Sequence, residues 1–347
     1  MEHELEQQQR RLTRLPTRYR LLLLLAVVFH LSLLVSWRAG YWHRWTFDST
    51  ATRGQRGWDF FALYQAGHNV RSGISIYESD NDRIDVVAPV YTPYRYLPFP
   101  AYTLGWLLSA LPPLWALRIW VVFLELTLLA CVYVSWRVAR DPRQGATLIS
   151  MWLCFTPYYL ELYMGQFSMV QAALVLALLL AAEKGFWDWR FGCPWILSLL
   201  WKQTTALFAP LLLRLGRWRM LVLAIVVLAA TSAPYFARYP GSLGAFLGNL
   251  RSGPPTPQLG NLGVRQFLYC LASSLCPDWS PVTHLWLQRL WVLAILGLAL
   301  WLTWRVRRPD PVPLICLWAT SFFLLYHHVW EHHYVMLLPV YVMLFQR

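Results

Sequence analysis

The sequence predicts an all-α polytopic membrane protein, and three observations support this prediction. Hydrophobic residues make up 57% of the 347-residue chain and charged residues only 14%, which is far from the usage of soluble domains. Long apolar runs almost free of charge recur, and several reach the roughly 20 residues that a tilted helix needs to cross a bilayer. The strand alternation typical of a barrel is missing from the sequence. We therefore expect a bundle of about ten membrane-spanning helices.

The apolar runs are the elements of this bundle. The first run follows a group of arginines and superficially resembles a signal peptide. It is too long for one, and no small-residue cleavage site follows it, so we expect a retained first helix. The clear runs are 19–37, 114–136, 147–160, 168–182, 220–236, 284–304, 313–326 and 334–345, and the less certain ones are 98–111 and 193–213.

Arginine clusters predict which loops face the cytoplasm. The basic segment 1–18 is expected to be cytoplasmic and to precede a single integral-membrane domain over residues 19–347. If the basic clusters at 214–219 and 305–308 are also cytoplasmic, the two larger loops, 38–97 and 238–283, face outward. The turn between the last two runs then shares their side. A further cluster at 137–143 also looks cytoplasmic. That placement would require 98–111 to be a re-entrant segment and 193–213 to be a hairpin, and otherwise the cluster breaks the rule, so the topology between residues 98 and 213 stays open.

The net charge of +13 does not indicate nucleic-acid binding. The arginines gather at the ends of apolar runs, as they do in cytoplasmic loops, and the chain has only two lysines, Lys184 and Lys202. Membrane lipids are the expected partner of this charge.

Asp59 stands in the stretch WDFFALYQAG, residues 58–67, within the first predicted outer loop. Its position before an apolar helical stretch suits an N-cap that accepts from the amides of the first turn. Its aromatic neighbours could also raise the pKa of the carboxyl into the range of a general base. The two interpretations are compatible.

A histidine-rich turn, HHVWEHHY, covers residues 327–334. The pairs His328/His332 and His327/Glu331 have the spacing that brings side chains together on one helical face. A metal site, structural interfacial histidines and a polar catalytic or phosphate-contacting cluster are all compatible with this pattern. The HExxH order is missing, and the sequence indicates no third ligand elsewhere.

Three other polar positions interrupt apolar or aromatic sequence. Lys202 must either extend its charge to the membrane surface or face a cavity and pair with an anion such as a lipid phosphate. Gly165-Gln166 is either a turn or a turn with an amide placed for sugar hydroxyls. Arg265, in the second predicted outer loop, is a candidate contact for a phosphate or sugar.

In their order and spacing, these pieces resemble glycosyltransferase family 87, the polyprenol-phosphate-mannose-dependent mannosyltransferases of the GT-C superfamily. The similarity extends over roughly residues 20–346, with Pro98-Phe99-Pro100 where the family usually has a proline pair. The elements that carry it are Asp59-Phe60, Tyr64, Ala66, Gly73, Tyr77, Tyr94-Arg95-Tyr96-Leu97-Pro98, Gly165-Gln166, Lys202 with the basic loop 214–219, and Trp330-Glu331-His332-His333-Tyr334.

The resemblance implies a GT-C-type bundle in the cell membrane that moves a sugar, mannose by resemblance alone, at the extracytoplasmic face. The donor would be a polyprenyl-phosphate sugar and the acceptor a hydroxyl of a lipid or glycan. Transfer would invert the anomeric centre without a metal or other cofactor. The implied catalytic residues are Asp59 as general base, His332 and His333. The implied substrate-binding residues are Lys202, Arg265, Gln166, Tyr64, Tyr96 and Glu331. A transporter or flippase of a lipid-linked sugar and a membrane glycan polymerase are the alternatives.

Overall fold

The computed structural model describes residues 15–78, 83–250 and 260–347. Most of the predicted cytoplasmic segment 1–18, and parts of both predicted outer loops, lie outside the described residues. Within those ranges the chain is helical and has no strand, apart from one isolated bridge between Asn261 and Trp330. The all-α prediction is confirmed.

The helices are numbered in chain order. In the first half they are α1 Thr17–Ala39, α2 Ser49–Thr52, α3 Trp58–Arg71, α4 Pro98–Pro100, α5 Trp106–Leu108, α6 Pro113–Val138, α7 Pro142–Leu153, α8 Tyr158–Met164 and α9 Ser168–Glu183. In the second half they are α10 Trp189–Trp201, α11 Ala209–Arg214, α12 Trp218–Arg238, α13 Ser242–Leu250, α14 Val264–Leu275, α15 Pro281–Arg305, α16 Pro311–Leu325 and α17 Leu338–Gln346. Short 3-10 segments cover Tyr41–Trp45, Gln203–Phe208 and Glu331–Leu337, and a π-helical turn, Ala101–Gly105, joins α4 to α5.

Four helices in the described ranges, α1, α6, α12 and α15, are long and apolar enough to cross a membrane. Two shorter apolar helices, α9 and α16, also match predicted runs. Proline at the first turn starts α6, α7, α15 and α16, where its missing amide costs no helical hydrogen bond. A helical membrane protein is therefore confirmed, and the count of about ten crossings stays a prediction.

Two predicted runs are broken in the structure. Run 147–160 is not one helix, because α7 ends at Leu153 and α8 begins only after Pro157, which disfavours helical continuation. Run 193–213 is interrupted at Lys202, whose backbone is extended at φ −151° and ψ 111° before the 3-10 segment begins. These two breaks place polar groups inside the bundle. Irregular backbone at membrane depth is tolerated where protein surrounds it.

An aromatic core joins the elements around the breaks. Phe60 of α3 lies 5.8 Å from Trp120 of α6, and Trp120 lies 5.9 Å from Trp201 at the end of α10, measured between ring centroids. Phe167 lies 5.5 Å from Trp201 and closes the group. Each such pair contributes about 0.5–1.5 kcal/mol beyond the area it buries. This core supports the first turn of α3, which carries Asp59.

Candidate active site

Asp59 lies in the first turn of α3 but does not cap it. The N-cap is Gly57, in left-handed backbone at φ 75°, and no side chain bonds to the amides of this helix start. The N-cap interpretation of Asp59 is therefore wrong, although its charge is favourably placed near a helix N-terminus. The Asp59 side chain instead accepts from the Gln166 Nε2 at 2.5 Å and from the Thr92 hydroxyl at 3.4 Å. The carboxylate is thus held by partners far away in sequence.

The environment of Asp59 favours a base that works near neutral pH. Burial raises its pKa to about 6, and the positive charges of Arg95 and Lys202 oppose this rise. The residue nevertheless stays half-buried, so it retains access from outside the protein. A carboxylate with these properties can accept a proton from an incoming hydroxyl.

The Gly165-Gln166 pair is both a turn and a contact to Asp59. Gly165 ends α8 in left-handed backbone at φ 64°, and a Cβ there would lie 2.5 Å from the Cβ of Phe60. The Trp120 Nε1 donates to the Gly165 carbonyl at 3.0 Å. Glycine therefore lets α8 and α3 approach closely enough for the Gln166 amide to reach Asp59. The Gln166 Oε1 is buried and has no hydrogen-bond partner among the described residues.

Lys202 is buried beside this pair and does not extend its charge to the membrane surface. Its Nζ donates to the Ser168 hydroxyl at 2.9 Å, and the residue is only 9% exposed. Two carboxylates, Asp59 and the fully buried Glu161, lie within electrostatic range of this ammonium. The Glu161 Oε1 accepts from the Met169 amide at 2.6 Å. Lys202 therefore balances buried negative charge next to the candidate base.

The two histidines predicted to be catalytic are buried in the 3-10 segment Glu331–Leu337. Burial, with the Lys202 ammonium as a second cause, holds the pKa values of His332 and His333 well below the usual range. The His333 Nδ1 accepts from the Trp330 amide at 3.0 Å, whereas the His332 Nδ1 is buried without a partner among the described residues. These lowered pKa values favour the neutral form of both rings, which suits them to act as polar groups rather than as cations.

The first two histidines of the turn lie near arginine side chains. The pKa values of His327 and His328 are lowered to about 4. Burial is the main cause, and the positive charges of Arg265 and Arg95 lower both values further. No group of three histidine, cysteine or acidic side chains among the described residues is arranged as metal ligands. Arg265 itself is half-buried, and its Nη2 donates to the Gln288 Oε1 at 3.1 Å.

Two of the remaining predicted substrate-binding residues, Glu331 and Tyr64, have backbone groups of this protein as hydrogen-bond partners. The Glu331 Oε2 accepts from the Phe47 amide at 2.8 Å and so ties the histidine turn to the first loop. The Tyr64 hydroxyl donates to the Leu111 carbonyl at 2.8 Å. Tyr96 packs with its ring centroid 4.7 Å from that of Phe167, within electrostatic range of Asp59.

Arg95 belongs to the site although the sequence did not single it out as a site residue. It is exposed, and within the described ranges its guanidinium has no hydrogen bond or ion pair. Its charge nevertheless acts on Asp59, on Tyr326 and on both His327 and His328. Within the part of the chain that the structure describes, Arg95 is thus a cation without a partner, and its charge reaches both the candidate base and the histidine turn, as an anionic ligand would require.

The fold and site together define a helical membrane protein with a half-buried carboxylate, a neighbouring amide and cations that could hold a phosphate. Residues 94–326, about two thirds of the chain, match glycosyltransferase family 87, and the chain belongs to this family. It is therefore a membrane glycosyltransferase, and the predicted family is confirmed. Searches of curated proteins and of solved structures found no match to this chain.

Proposed function

We propose that this protein transfers mannose from a polyprenyl-phosphate carrier to a hydroxyl of a lipid or glycan at the extracytoplasmic face. The observation that carries the proposal is the half-buried Asp59 carboxylate, which Gln166 orients within electrostatic range of the exposed Arg95. Membership of a glycosyltransferase family favours transfer over transport of a lipid-linked sugar. The donor class and mannose itself come from the likeness to family 87.

The proposed step is a single displacement. The acceptor oxygen forms a bond to the anomeric carbon while the bond to the phosphate oxygen breaks, which inverts the anomeric centre. The acceptor proton passes to Asp59, and the electron pair of the broken bond leaves with the polyprenyl phosphate. A general base in this position contributes about 10²- to 10⁴-fold to the rate. The phosphate is already a good leaving group and needs little help from an acid.

Charge on the departing phosphate is held by cations and neutral donors. Arg95 is the exposed cation next to Asp59, and neutral His332 and His333 supply polar contacts without adding charge. Preorganised donors of this kind stabilise the transition state because they need no rearrangement during the reaction. In this arrangement Lys202 acts mainly on the buried carboxylates, and Arg265 lies beside the His327/His328 pair.

The proposed topology puts the site on the outer side. Segment 1–18 is cytoplasmic, residues 19–347 form one membrane domain, and loops 38–97 and 238–283 face outward. Single cysteines placed near Asp59 and near His333 should both react with an impermeant thiol reagent in intact cells. Labelling at only one of the two positions contradicts a shared outer face.

The experiment that tests the proposed function uses the purified full-length protein with labelled polyprenyl-phosphate mannose and candidate glycan or glycolipid acceptors. We expect polyprenyl phosphate to be released only when an acceptor is present, and the product linkage to have the anomeric configuration opposite to that of the donor. Movement of intact donor across a vesicle membrane, without release of polyprenyl phosphate, would instead support the transporter alternative.

A further inference from the structure

A polar cluster lies inside the predicted membrane, away from the candidate active site. His30 is near the middle of α1 and Glu125 near the middle of α6, and the His30 Nε2 lies 2.9 Å from the Glu125 Oε2. The Tyr158 hydroxyl donates to the other oxygen, Glu125 Oε1, at 2.9 Å. The His30 and Tyr158 rings stack with centroids 5.8 Å apart. The residues next to His30 and next to Glu125 in the sequence are apolar, so these two side chains place polar groups within apolar helices.

Ionisable groups at this depth are expensive, and helices can pair without them. A charged side chain at the bilayer centre costs at least roughly 2.5–3.5 kcal/mol, and apolar packing of similar volume holds elements together equally well. What a buried polar group adds is a defined geometry, because its partners must occupy fixed positions. Glu125 can therefore fix the position of the element to which it is bonded.

The element bonded to Glu125 is α8, a helix of seven residues that are all buried. So short a helix is not stable by itself and takes its position from its neighbours. Further bonds attach α8 to α1. The Trp37 indole donates to the Leu162 carbonyl at 3.1 Å, the Tyr159 hydroxyl donates to the Ser36 carbonyl at 3.2 Å, and the Ser36 hydroxyl lies 3.3 Å from the Tyr159 hydroxyl. Tyr158, its first residue, is the one held by Glu125.

The C-terminal end of α8 carries the groups that contact the candidate active site. The Gly57 amide, which starts the helix of Asp59, donates to the Tyr163 carbonyl at 2.8 Å. The amide of Gln166, two residues after α8 ends, donates to Asp59. The first residue of α8 is about 10 Å from its C-cap at a rise of about 1.5 Å per residue. About two turns of helix thus connect the intramembrane cluster to the candidate base.

We propose that Glu125, with His30 and Tyr158, is a positioning device that fixes α8 and thereby holds the Gln166 amide against Asp59. None of the three residues touches the reacting groups. Their effect passes through the placement of α8, and it builds on the proposed role of Asp59 as base.

The test uses Tyr158→Phe, which removes one hydroxyl and little volume. If α8 is displaced, the Gln166 bond to the Asp59 carboxylate weakens. Since that bond favours the ionised form, the acid limb of the pH–activity profile should move upward by about one pH unit. Turnover at neutral pH should fall on the order of tenfold, with the KM for donor unchanged. The charged or titratable groups that face Asp59 are Arg95, Lys202, Asp48, Glu161 and Tyr96.

A double-mutant cycle separates positioning from general loss of structure. Gln166→Leu should show the same upward shift, and the double variant Tyr158→Phe/Gln166→Leu should match Gln166→Leu alone. Ser135→Ala is the matched control, because Ser135 lies on the same helix α6 and its hydroxyl accepts a buried hydrogen bond from the Trp152 indole at 2.8 Å. Neither of these two residues belongs to α8. The control variant should leave the acid limb in place.

Conservative replacement of the carboxylate gives a second measurement. In Glu125→Gln the side-chain oxygen can still accept from Tyr158, and the side-chain amide can donate to a ring nitrogen of His30. This variant should therefore keep the wild-type acid limb, whereas Glu125→Leu should shift it. A wild-type limb in Tyr158→Phe, or shifts that simply add in the double variant, overturns the positioning role. Full turnover by Asp59→Asn would instead refute the proposed base, whatever Tyr158→Phe does.

Discussion

Alanine at Gly165 tests whether the close approach of α8 to α3 is needed for activity. Gly165 has left-handed backbone at φ 64°, directly before Gln166. Gly185, after α9, has nearly the same backbone at φ 69°, but a Cβ there would have nothing within 4 Å. The two substitutions therefore share the backbone strain and differ in packing.

The two substitutions should lower the free energy of unfolding by different amounts. Alanine in left-handed backbone costs about 1–2 kcal/mol at either position. At Gly165 the methyl group would also lie 2.5 Å from the Phe60 Cβ and 3.3 Å from the Trp120 ring. Overpacking of this kind costs about 1–3 kcal/mol more. The free energy of unfolding should thus fall by about 2–5 kcal/mol for Gly165→Ala and by about 1–2 kcal/mol for Gly185→Ala.

Thermal unfolding in detergent and turnover of labelled donor are the two assays. Gly165→Ala should lose clearly more thermal stability than Gly185→Ala. Its turnover, measured well below the unfolding temperature, should drop on the order of 10- to 100-fold because the Gln166 amide is displaced from Asp59. Gly185→Ala should retain wild-type turnover. Equal stability losses with wild-type turnover in both variants would refute the inferred packing of α8 on α3.

Three further predictions concern charge in the site. Activity should fall as the pH drops through about 6, because the base form of Asp59 is present only above its pKa. Lys202→Met should move this acid limb of the pH–activity profile to higher pH, because it removes a cation that favours the ionised form of Asp59. Arg95→Gln should lower kcat/KM for the donor by about 10- to 100-fold, even at a pH where Asp59 is ionised, because a charged hydrogen bond is lost. The control is Arg53→Gln, which changes an exposed arginine of the same loop and should leave kcat/KM unchanged. Glu331→Leu should lower the free energy of unfolding by about 1–3 kcal/mol, seen as reduced thermal stability, because the Phe47 amide loses its acceptor. Unchanged stability with a raised KM for the acceptor would instead favour the substrate contact predicted from the sequence.

Sequence alone predicted the helices that are long and uniformly apolar. Helices α1, α6, α12 and α15 match apolar runs closely, because hydrophobicity over about 20 residues is a strong local signal. The position of the break at Lys202 and the short helix α8 were not predicted, because packing of the surrounding helices compensates for irregular backbone there. Asp59 was found from its aromatic setting, but its bond to Gln166 joins residues 107 positions apart and requires the fold.

The residues missed by sequence analysis fall into two kinds. Glu161, Glu125 and His30 are ionisable residues in or beside apolar runs, and such residues are functional candidates by default, so this signal was available. Arg95 was seen only as part of the Tyr-Arg-Tyr stretch. Its importance comes from the effect of its charge on Asp59, which spacing along the chain does not reveal.

The role of Asp59 is tested most directly by the turnover of Asp59→Asn, purified in the same detergent as the wild type and with the same thermal stability. Asparagine keeps the size of the side chain and can still bond to Gln166, but it cannot accept the acceptor's proton. With labelled polyprenyl-phosphate mannose and a competent acceptor, we predict that release of polyprenyl phosphate falls by about 10²- to 10⁴-fold while donor binding persists. Wild-type turnover by Asp59→Asn would contradict its role as the general base.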